Sequence, residues 1–264
     1  MSGEIAKTER LAPDTWLDLT RFTPARVSLG QAGPAIPTRE QQRFQLDHAL
    51  ARDAVHARLD VAALVDKLRQ RGVECIALRS AVAEEQGRGD RRVYLRRPDL
   101  GRRLDTKSAE KLRARAAGMT REPEVVFAIV DGLSALAVER HAIALLDQMA
   151  EESFSAVPVC VVSDGRVAVG DEIGAALQTR LAVVLIGERP GLSSPDSLGV
   201  YITWNPKPGR TDAERNCISN IRSEGLSYKD AARRLVYYMS EAKRLKTTGV
   251  LLKERSDAPG RLGA

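Results

Sequence analysis

The chain has 264 residues, of which 43% are hydrophobic and 29% are charged, a composition typical of a soluble globular protein with one or two domains. Its net charge of +6 comes from 41 Lys and Arg interleaved with 35 Asp and Glu, and only 4% of residues are aromatic, so nucleic-acid binding is not indicated. The sequence has no run of 18 apolar residues, and its acidic N-terminus lacks an apolar core, which argues against a membrane span and a secretory signal.

The N-terminal third of the chain is predicted to be an arm followed by helices. Residues 1–40 contain Gly or Pro every few positions, so they are expected to form an extended arm rather than a long element. Helical spacing predicts a helix over 38–59 with Thr38 as its cap, and a second helix over 60–70. The short apolar run 75–78 is typical of a strand. The charged, Gly-rich segment that follows, 84–92, is expected to be a solvated loop.

From residue 93 onward, short apolar runs alternate with amphipathic segments. Strands are predicted at 93–95, 125–130, 157–162 and 181–186, and helices at 108–117, 135–149, 171–178 and 228–246. Such alternation predicts right-handed crossovers and an α/β fold, with a mostly parallel, Rossmann-like sheet that has helices on both faces. The arm and helical segment precede this sheet. We therefore expect an N-terminal region, residues 1–92, and an α/β domain, residues 93–264.

The stretch 181–220 is predicted to form the binding edge of the sheet. A buried strand leads directly into Gly187-Glu188-Arg189-Pro190-Gly191, a second apolar run follows at 200–204, and residues 215–220 form a polar segment interpreted as a second loop. Loops beyond the carboxyl ends of parallel strands are where open α/β sheets hold ligands. An ordinary pair of surface loops would have the same composition, and the pattern alone does not separate the two.

No self-contained catalytic or metal-binding pattern is present in the sequence. It has no Gly-rich phosphate loop, no paired-cysteine motif and no His-Glu-x-x-His, and its three histidines (His48, His56, His141) have no neighbouring nucleophile. The turn 131–134 could imitate a nucleophile turn, but we favour Asp131 and Ser134 as caps of the following helix, with Gly132 permitting the turn. Three widely spaced cysteines indicate free thiols in a reducing cytoplasm. We therefore expect a chain that holds a ligand and supplies no catalytic residue.

Four motifs resemble the small subunit of ethanolamine ammonia-lyase, in that family's order and spacing. They are Tyr-Leu-Arg-Arg-Pro-Asp-Leu-Gly-Arg-Arg-Leu at 94–104, Val-Asp-Gly-Leu-Ser at 130–134, Gly-Glu-Arg-Pro-Gly-Leu at 187–192 and Cys-Ile-Ser-Asn-Ile at 217–221. The resemblance covers roughly residues 20 to 250. It implies one subunit of an adenosylcobalamin-dependent lyase, which converts ethanolamine to acetaldehyde and ammonia by a radical mechanism. It further implies a barrel-forming large subunit as partner and assembly as a multimer of heterodimers.

The same resemblance implies three cobalamin-binding residues, Val167, Glu188 and Cys217. Glu188 can accept hydrogen bonds from the amide groups around a corrin, whereas without the resemblance a salt bridge to Arg189 or another arginine would be favoured. Val167 is expected to act through its main chain and by apolar contact. Cys217 could instead be a small buried hydrophobic residue.

Further implications concern the cofactor and the surface. The Asp-x-His-x-x-Gly pattern that supplies a histidine to cobalt is absent from the sequence, so the cofactor is expected to bind base-on, with its own dimethylbenzimidazole on cobalt. Arginine forks suit carboxylates at interfaces, so the segment containing Arg96, Arg97, Arg102 and Arg103 is predicted to contact the large subunit; a solvated basic loop is the alternative. Some family members have a longer N-terminal extension that is linked to packaging in a bacterial microcompartment. This chain is short there, which counts against packaging, so a cytoplasmic location is expected and a microcompartment is the alternative.

Overall fold

A computed structural model describes residues 16–23, 25–31, 33–85, 91–149 and 159–254. Parts of the predicted arm, the 84–92 loop and the 157–162 strand lie outside these residues. The helices are α1 (Thr38–His56), α2 (Val61–Arg69), α3 (Arg91–Arg96), α4 (Thr106–Ala117), α5 (Ala135–Leu146), α6 (Val169–Ala176) and α7 (Tyr228–Leu245). The strands are β1 (Cys75–Arg79), β2 (Val125–Val130), β3 (Val159–Ser163), β4 (Leu181–Gly187), β5 (Leu198–Trp204) and β6 (Arg215–Ile221). None of the described helices is long and apolar enough to span a membrane.

The six strands form one sheet in the order β1-β3-β2-β4-β5-β6. β1, β3, β2 and β4 are parallel, while β5 pairs antiparallel with β4 and β6 pairs antiparallel with β5. The predicted α/β class and mostly parallel sheet are confirmed. The register places Val130 beside Ile186, so the turns after β2 and β4 emerge side by side. The chain also reverses at β5, which returns the end of β6 to the same edge as the end of β4.

Side-chain alternation divides the core between the two faces of the sheet. One face packs against α2, α5 and α7 through residues such as Phe127, Val183 and Ile202. The opposite face packs against α4 and α6 through Val126, Val184 and their neighbours. All seven positions of β4 are buried, which explains why its sequence is a continuous apolar run rather than an alternating one.

Among the described residues, helices cover both faces of the sheet over β2 and β4. Over β5 and β6, α7 covers one face, and the other face is covered only around Thr203 and Arg215, next to α6. Ile202 and Ile218 point into the core beneath α7, while Cys217 and Ser219, on the other side of β6, are exposed. Tyr201, which is directly opposite Cys217, is only half-buried. The antiparallel part of the sheet therefore has one face left partly bare, next to the carboxyl end of β4.

Two of the predicted elements are wrong. Residues 93–95, expected to form a strand, belong to the helix α3, because Arg91 and Tyr94 on one side of that helix are both buried. Residues 215–220, interpreted as a loop, form most of the strand β6. The polar composition of this strand is misleading, since Asn216 is buried and its side chain bonds to the backbone of Gly249 and Leu252.

The N-terminal helices begin close to where they were predicted. Thr38 is the first residue of α1 rather than its cap, because Pro37 occupies the cap position and no side chain caps the helix. Within α1, Ala54 is buried, while Phe44 and Leu50 are exposed. The division of the chain at residue 92 stays a prediction, although β1 from the first region is hydrogen-bonded to β3 of the second.

Candidate functional site

A cleft of about 920 Å³ lies at the carboxyl ends of the parallel strands, a volume within the range of about 300–1,000 Å³ typical of ligand sites. The turns after β2, β3 and β4 supply Gly132, Val167 and Glu188 to its wall. Because β3 and β4 flank β2 on opposite sides, the order of strands reverses at this point, which is where open α/β sheets bind ligands. The opposite wall comprises residues 209–212 together with Tyr201 and Arg215.

Glu188 lies across the bare part of the sheet and joins three segments of chain. Its carboxylate accepts hydrogen bonds from the hydroxyls of Ser197 and Ser219 and, at 3.2 Å, from the backbone N–H of Asn220. A Cβ on Gly199 would lie 2.9 Å from Glu188 Oε1, so glycine at this position of β5 leaves room for the carboxylate. The alternative of a salt bridge is not found: Glu188 forms no ion pair within the described part of the chain.

Val167 is in the turn between β3 and α6. It is half-buried and lines the cleft. Among the described residues, neither its backbone N–H nor that of Ala168 has a hydrogen-bond acceptor, because both precede the first turn of the helix. Two backbone N–H groups without an acceptor and an apolar side chain therefore belong to residues that line the cleft.

Cys217 is exposed on the bare face of the sheet, beside the cleft rather than in its lining. It pairs across the strands with Tyr201, which does line the cleft. Neighbouring protein raises the pKa of the Cys217 thiol by desolvation, and this outweighs the hydrogen bond to Tyr201. The alternative of a buried hydrophobic role is wrong, and the thiol is not activated as a nucleophile.

A buried ion pair supports the wall opposite Glu188. The two terminal guanidinium nitrogens of Arg215 donate to Asp171, each at 2.7 Å, and both side chains are 2% exposed. Arg215 also donates to the Thr203 hydroxyl at 2.9 Å and to the Arg210 carbonyl. This pair fixes β6 to the first turn of α6, so it sets the width of the cleft.

The turn after β2 is held by a second buried network. Asp131 does not cap α5 as predicted. Its carboxylate accepts from Arg91 at 2.9 Å and from the backbone N–H groups of Asp164 and Gly165. Burial raises the pKa of Asp131 to about 6. Ser134 does cap α5, as predicted, by accepting from the N–H of Ala137, and Gly132 has the predicted turn conformation with φ of +57°.

Tyr94 connects the arginine-rich motif to the cleft. Its ring lies between two guanidinium groups, 4.4 Å from that of Arg91 and 4.3 Å from that of Arg166, and its hydroxyl donates to the Gly165 carbonyl. Arg166 was not predicted from the sequence, although it directly precedes Val167. Arg215 and Tyr201 were also missed, since their roles depend on the pairing of β5 with β6.

The four arginines of the motif do not act as a group. Arg97 pairs with Asp99 at 2.8 Å and lies 3.7 Å from Glu85, while Arg102 lines the cleft. Contact of this segment with a partner subunit stays a prediction.

Two of the three histidines pack against aromatic rings. His141 is buried and contacts the Tyr228 hydroxyl at 2.8 Å, and His48 stacks on Phe44. No cluster of three or more potential metal ligands occurs among the described residues.

The fold and the cleft define an α/β ligand-binding protein whose site lies at the carboxyl ends of its strands. The family model for ethanolamine ammonia-lyase light chain (EutC) matches residues 13–253. The small subunit of ethanolamine ammonia-lyase from Pseudomonas aeruginosa (strain LESB58) is 54% identical over 250 residues, covering 93% of this chain and 89% of the relative. That from Xanthomonas campestris pv. campestris (strain ATCC 33913) is 52% identical over 250 residues, covering 93% and 90%.

The chain belongs to the ethanolamine ammonia-lyase light-chain family. It is therefore a subunit of a carbon–nitrogen lyase, and the relatives' description as small subunits implies a large one.

Proposed function

We propose that this chain binds adenosylcobalamin through Val167, Glu188 and Cys217 and closes the cofactor against a barrel-forming large subunit. Enzymes of this family generally depend on a B12 cofactor. When bound, that cofactor supplies the radical chemistry that converts ethanolamine to acetaldehyde and ammonia. The proposal places no catalytic acid, base or nucleophile on this chain. The base-on state of the cofactor and a multimer of heterodimers belong to the same proposal.

The bare face beside Glu188 is the observation that carries the proposal. A corrin is a broad, mostly apolar ring with a fringe of amide groups, so its site needs an open surface bordered by a few hydrogen-bonding groups. The cleft offers Val167 and Glu188 on its wall, with Cys217 on the adjoining sheet face. A cleft of about 920 Å³ can enclose only part of a molecule of cobalamin's size. The remainder must be covered from outside, which is the role proposed for the large subunit.

Glu188 has the capacity to bind the cofactor without losing its own supports. A carboxylate has roughly four lone-pair positions, and three are used by Ser197, Ser219 and Asn220. One position is left for an amide N–H of the corrin. The Ser hydroxyls and Gly199 hold the carboxylate over the sheet, so little conformational entropy is lost on binding. Val167 offers its apolar side chain to the corrin, and Cys217 offers a small apolar surface.

The test uses the chain co-purified with its large subunit and titrated with aquacobalamin, followed by the change in the corrin absorption spectrum. Glu188→Gln removes the charge but keeps the shape, so its affinity should fall by about tenfold or more, since hydrogen bonds to charged groups contribute about 1.5–3 kcal/mol. Glu110→Gln, on the exposed surface of α4, is the matched control and should bind like the unmodified chain. Equal affinity of the Glu188 and Glu110 variants would contradict the assignment of Glu188.

The wider proposal is tested by adenosylcobalamin-dependent release of acetaldehyde from ethanolamine. The co-purified complex should be active, and either subunit alone should not. A complex that assembles but binds no corrinoid would refute the proposed cofactor. Location in the cytoplasm, with or without a microcompartment, is part of the proposal and is tested by fractionation of cells grown on ethanolamine.

A further inference from the structure

Five arginines line the cleft, and only some of them have a carboxylate partner. Arg210 pairs with Glu214, and Arg215 pairs with Asp171. Three others that line the cleft are left over: Arg102, Arg166 and Arg189. Within the described residues, none of the three forms a hydrogen bond through its guanidinium group or an ion pair. Glu188 and Asp212 also line the cleft and keep their negative charges, but neither forms an ion pair with these three arginines: Asp212 lies 3.5 Å from Arg215, and Glu188 bonds to hydroxyls and a backbone N–H. The cleft therefore presents three guanidinium groups that have no carboxylate partner among the described residues.

Arg166 is the member of this group that the fold positions. Its guanidinium carbon lies over the Tyr94 ring, 4.3 Å from the ring centre, and its backbone N–H donates to the Gly101 carbonyl at 2.7 Å. A Cβ on Gly101 would lie 2.9 Å from Arg166 Cγ, so only glycine there admits the stem of the arginine. Nε of Arg166 is buried and has no acceptor among the described residues. A ligand cannot reach a buried Nε, but the two terminal nitrogens of Arg166 are not buried in this way, so they are the donors that the guanidinium group offers to the cleft.

Two further donors adjoin this guanidinium. The free backbone N–H groups of Val167 and Ala168 follow Arg166 in the chain and also line the cleft. A planar fork of N–H donors next to backbone N–H groups is a geometry that suits a phosphate group. We propose that Arg166, with these N–H groups, forms a phosphate-binding subsite of the cleft. This inference rests on the proposed function for its ligand: the phosphodiester in the nucleotide loop of base-on cobalamin.

The test compares two corrinoids on the chain co-purified with its large subunit. Cobalamin carries the nucleotide loop with its phosphodiester, whereas cobinamide lacks that loop. Arg166→Gln should weaken cobalamin binding by roughly ten- to a hundredfold and leave cobinamide binding unchanged, because only cobalamin loses a charge-assisted contact. Arg166→Lys, which keeps the charge, should recover part of the loss. Arg113→Gln, an exposed arginine on α4 outside the cleft lining, should affect neither corrinoid.

A second arm separates the cofactor's phosphodiester from a free anion. Inorganic phosphate should raise the melting temperature of the unmodified complex more than that of the Arg166→Gln complex at equal ionic strength. Suppose that phosphate stabilises the unmodified complex more than the Arg166→Gln complex, but the ratio of cobalamin affinity to cobinamide affinity is the same in the two complexes. The subsite is then supported, and its ligand is a free phosphate. If neither ratio nor melting temperature depends on Arg166, the subsite is refuted. Failure of the proposed function is a different result: the unmodified complex would then bind neither corrinoid, and the phosphate arm alone would decide on the subsite.

Discussion

Replacing Arg215 by Met should destabilise this chain strongly, because Asp171 would lose its charged partner in the interior. Both side chains are 2% exposed, and the two hydrogen bonds from Arg215 are the only ones that Asp171 accepts through its carboxylate in the described structure. Removing one partner of a buried ion pair costs about 3–5 kcal/mol. Met retains much of the volume of the arginine stem, so the loss should come from the unpaired carboxylate and not from a cavity.

The loss should depend on pH in a defined direction. Burial already raises the pKa of Asp171 with Arg215 present, and removal of the guanidinium raises it further. A carboxyl group whose pKa is higher in the folded chain than in the unfolded chain favours folding when it is protonated. Its stabilising contribution is full below the unfolded pKa of about 3.9 and disappears as pH rises through the folded value. The free energy difference between the variant and the unmodified chain should therefore be smaller at pH 5 than at pH 8.

Urea denaturation followed by circular dichroism measures both effects. The matched control is Arg71→Met, which breaks the exposed pair of Arg71 with Asp147 and should cost at most about 1 kcal/mol. The double variant Arg215→Met/Asp171→Leu should regain most of the lost stability, since no charge is left buried. A cost for Arg215→Met no larger than that for Arg71→Met, or a double variant less stable than either single one, would refute this reasoning.

Two other predictions concern the surface and the thiols. Reaction with an aromatic disulfide reagent at pH 8 should modify Cys217 first, since its side chain is exposed. Cys160 should react only on unfolding, because it is fully buried and burial raises its pKa to about 12. Bound cobalamin should slow the labelling of Cys217, and an unchanged labelling rate would argue against the place of Cys217 in the site. Charge reversal of Arg102 and Arg103 to Glu should reduce co-purification with the large subunit, and Lys107→Glu on α4 serves as the control. If the double variant and the control recover the same amount of large subunit, the interface hypothesis is refuted.

The elements that could be predicted are those whose signal is local. β4 is a run of apolar residues long enough to indicate a strand buried on both faces, and Ser134 and Ser227 mark the starts of α5 and α7 by their capping hydrogen bonds. The elements that were missed depend on distant contacts. α3 is a helix because Arg91 reaches Asp131, forty positions away, and β6 is a strand because β5 offers it an edge.

The residues of the site likewise divide into those with a local signal in the sequence and those whose position depends on distant contacts. Glu188 could be placed from sequence, since it directly follows the most apolar strand and loops at that point hold ligands. Its three hydrogen-bond donors come from two other segments, and their proximity depends on the reversal of β5. Arg166 gave no signal by itself, because its position is determined by Tyr94 and Gly101 on a different part of the chain.

The half-covered sheet also bears on how the enzyme would assemble. Under the proposed assignment, the corrin and the large subunit cover adjoining parts of the same exposed surface. When either one is bound alone, apolar area next to it stays in water, and binding of the other buries that area. Binding free energies that share a surface in this way are coupled, and the coupling is reciprocal. If bound cofactor raises the affinity between the subunits by some factor, the large subunit raises the affinity of this chain for the cofactor by the same factor. Depletion of B12 would then loosen the heterodimer by the same ratio by which separation of the subunits releases the corrinoid.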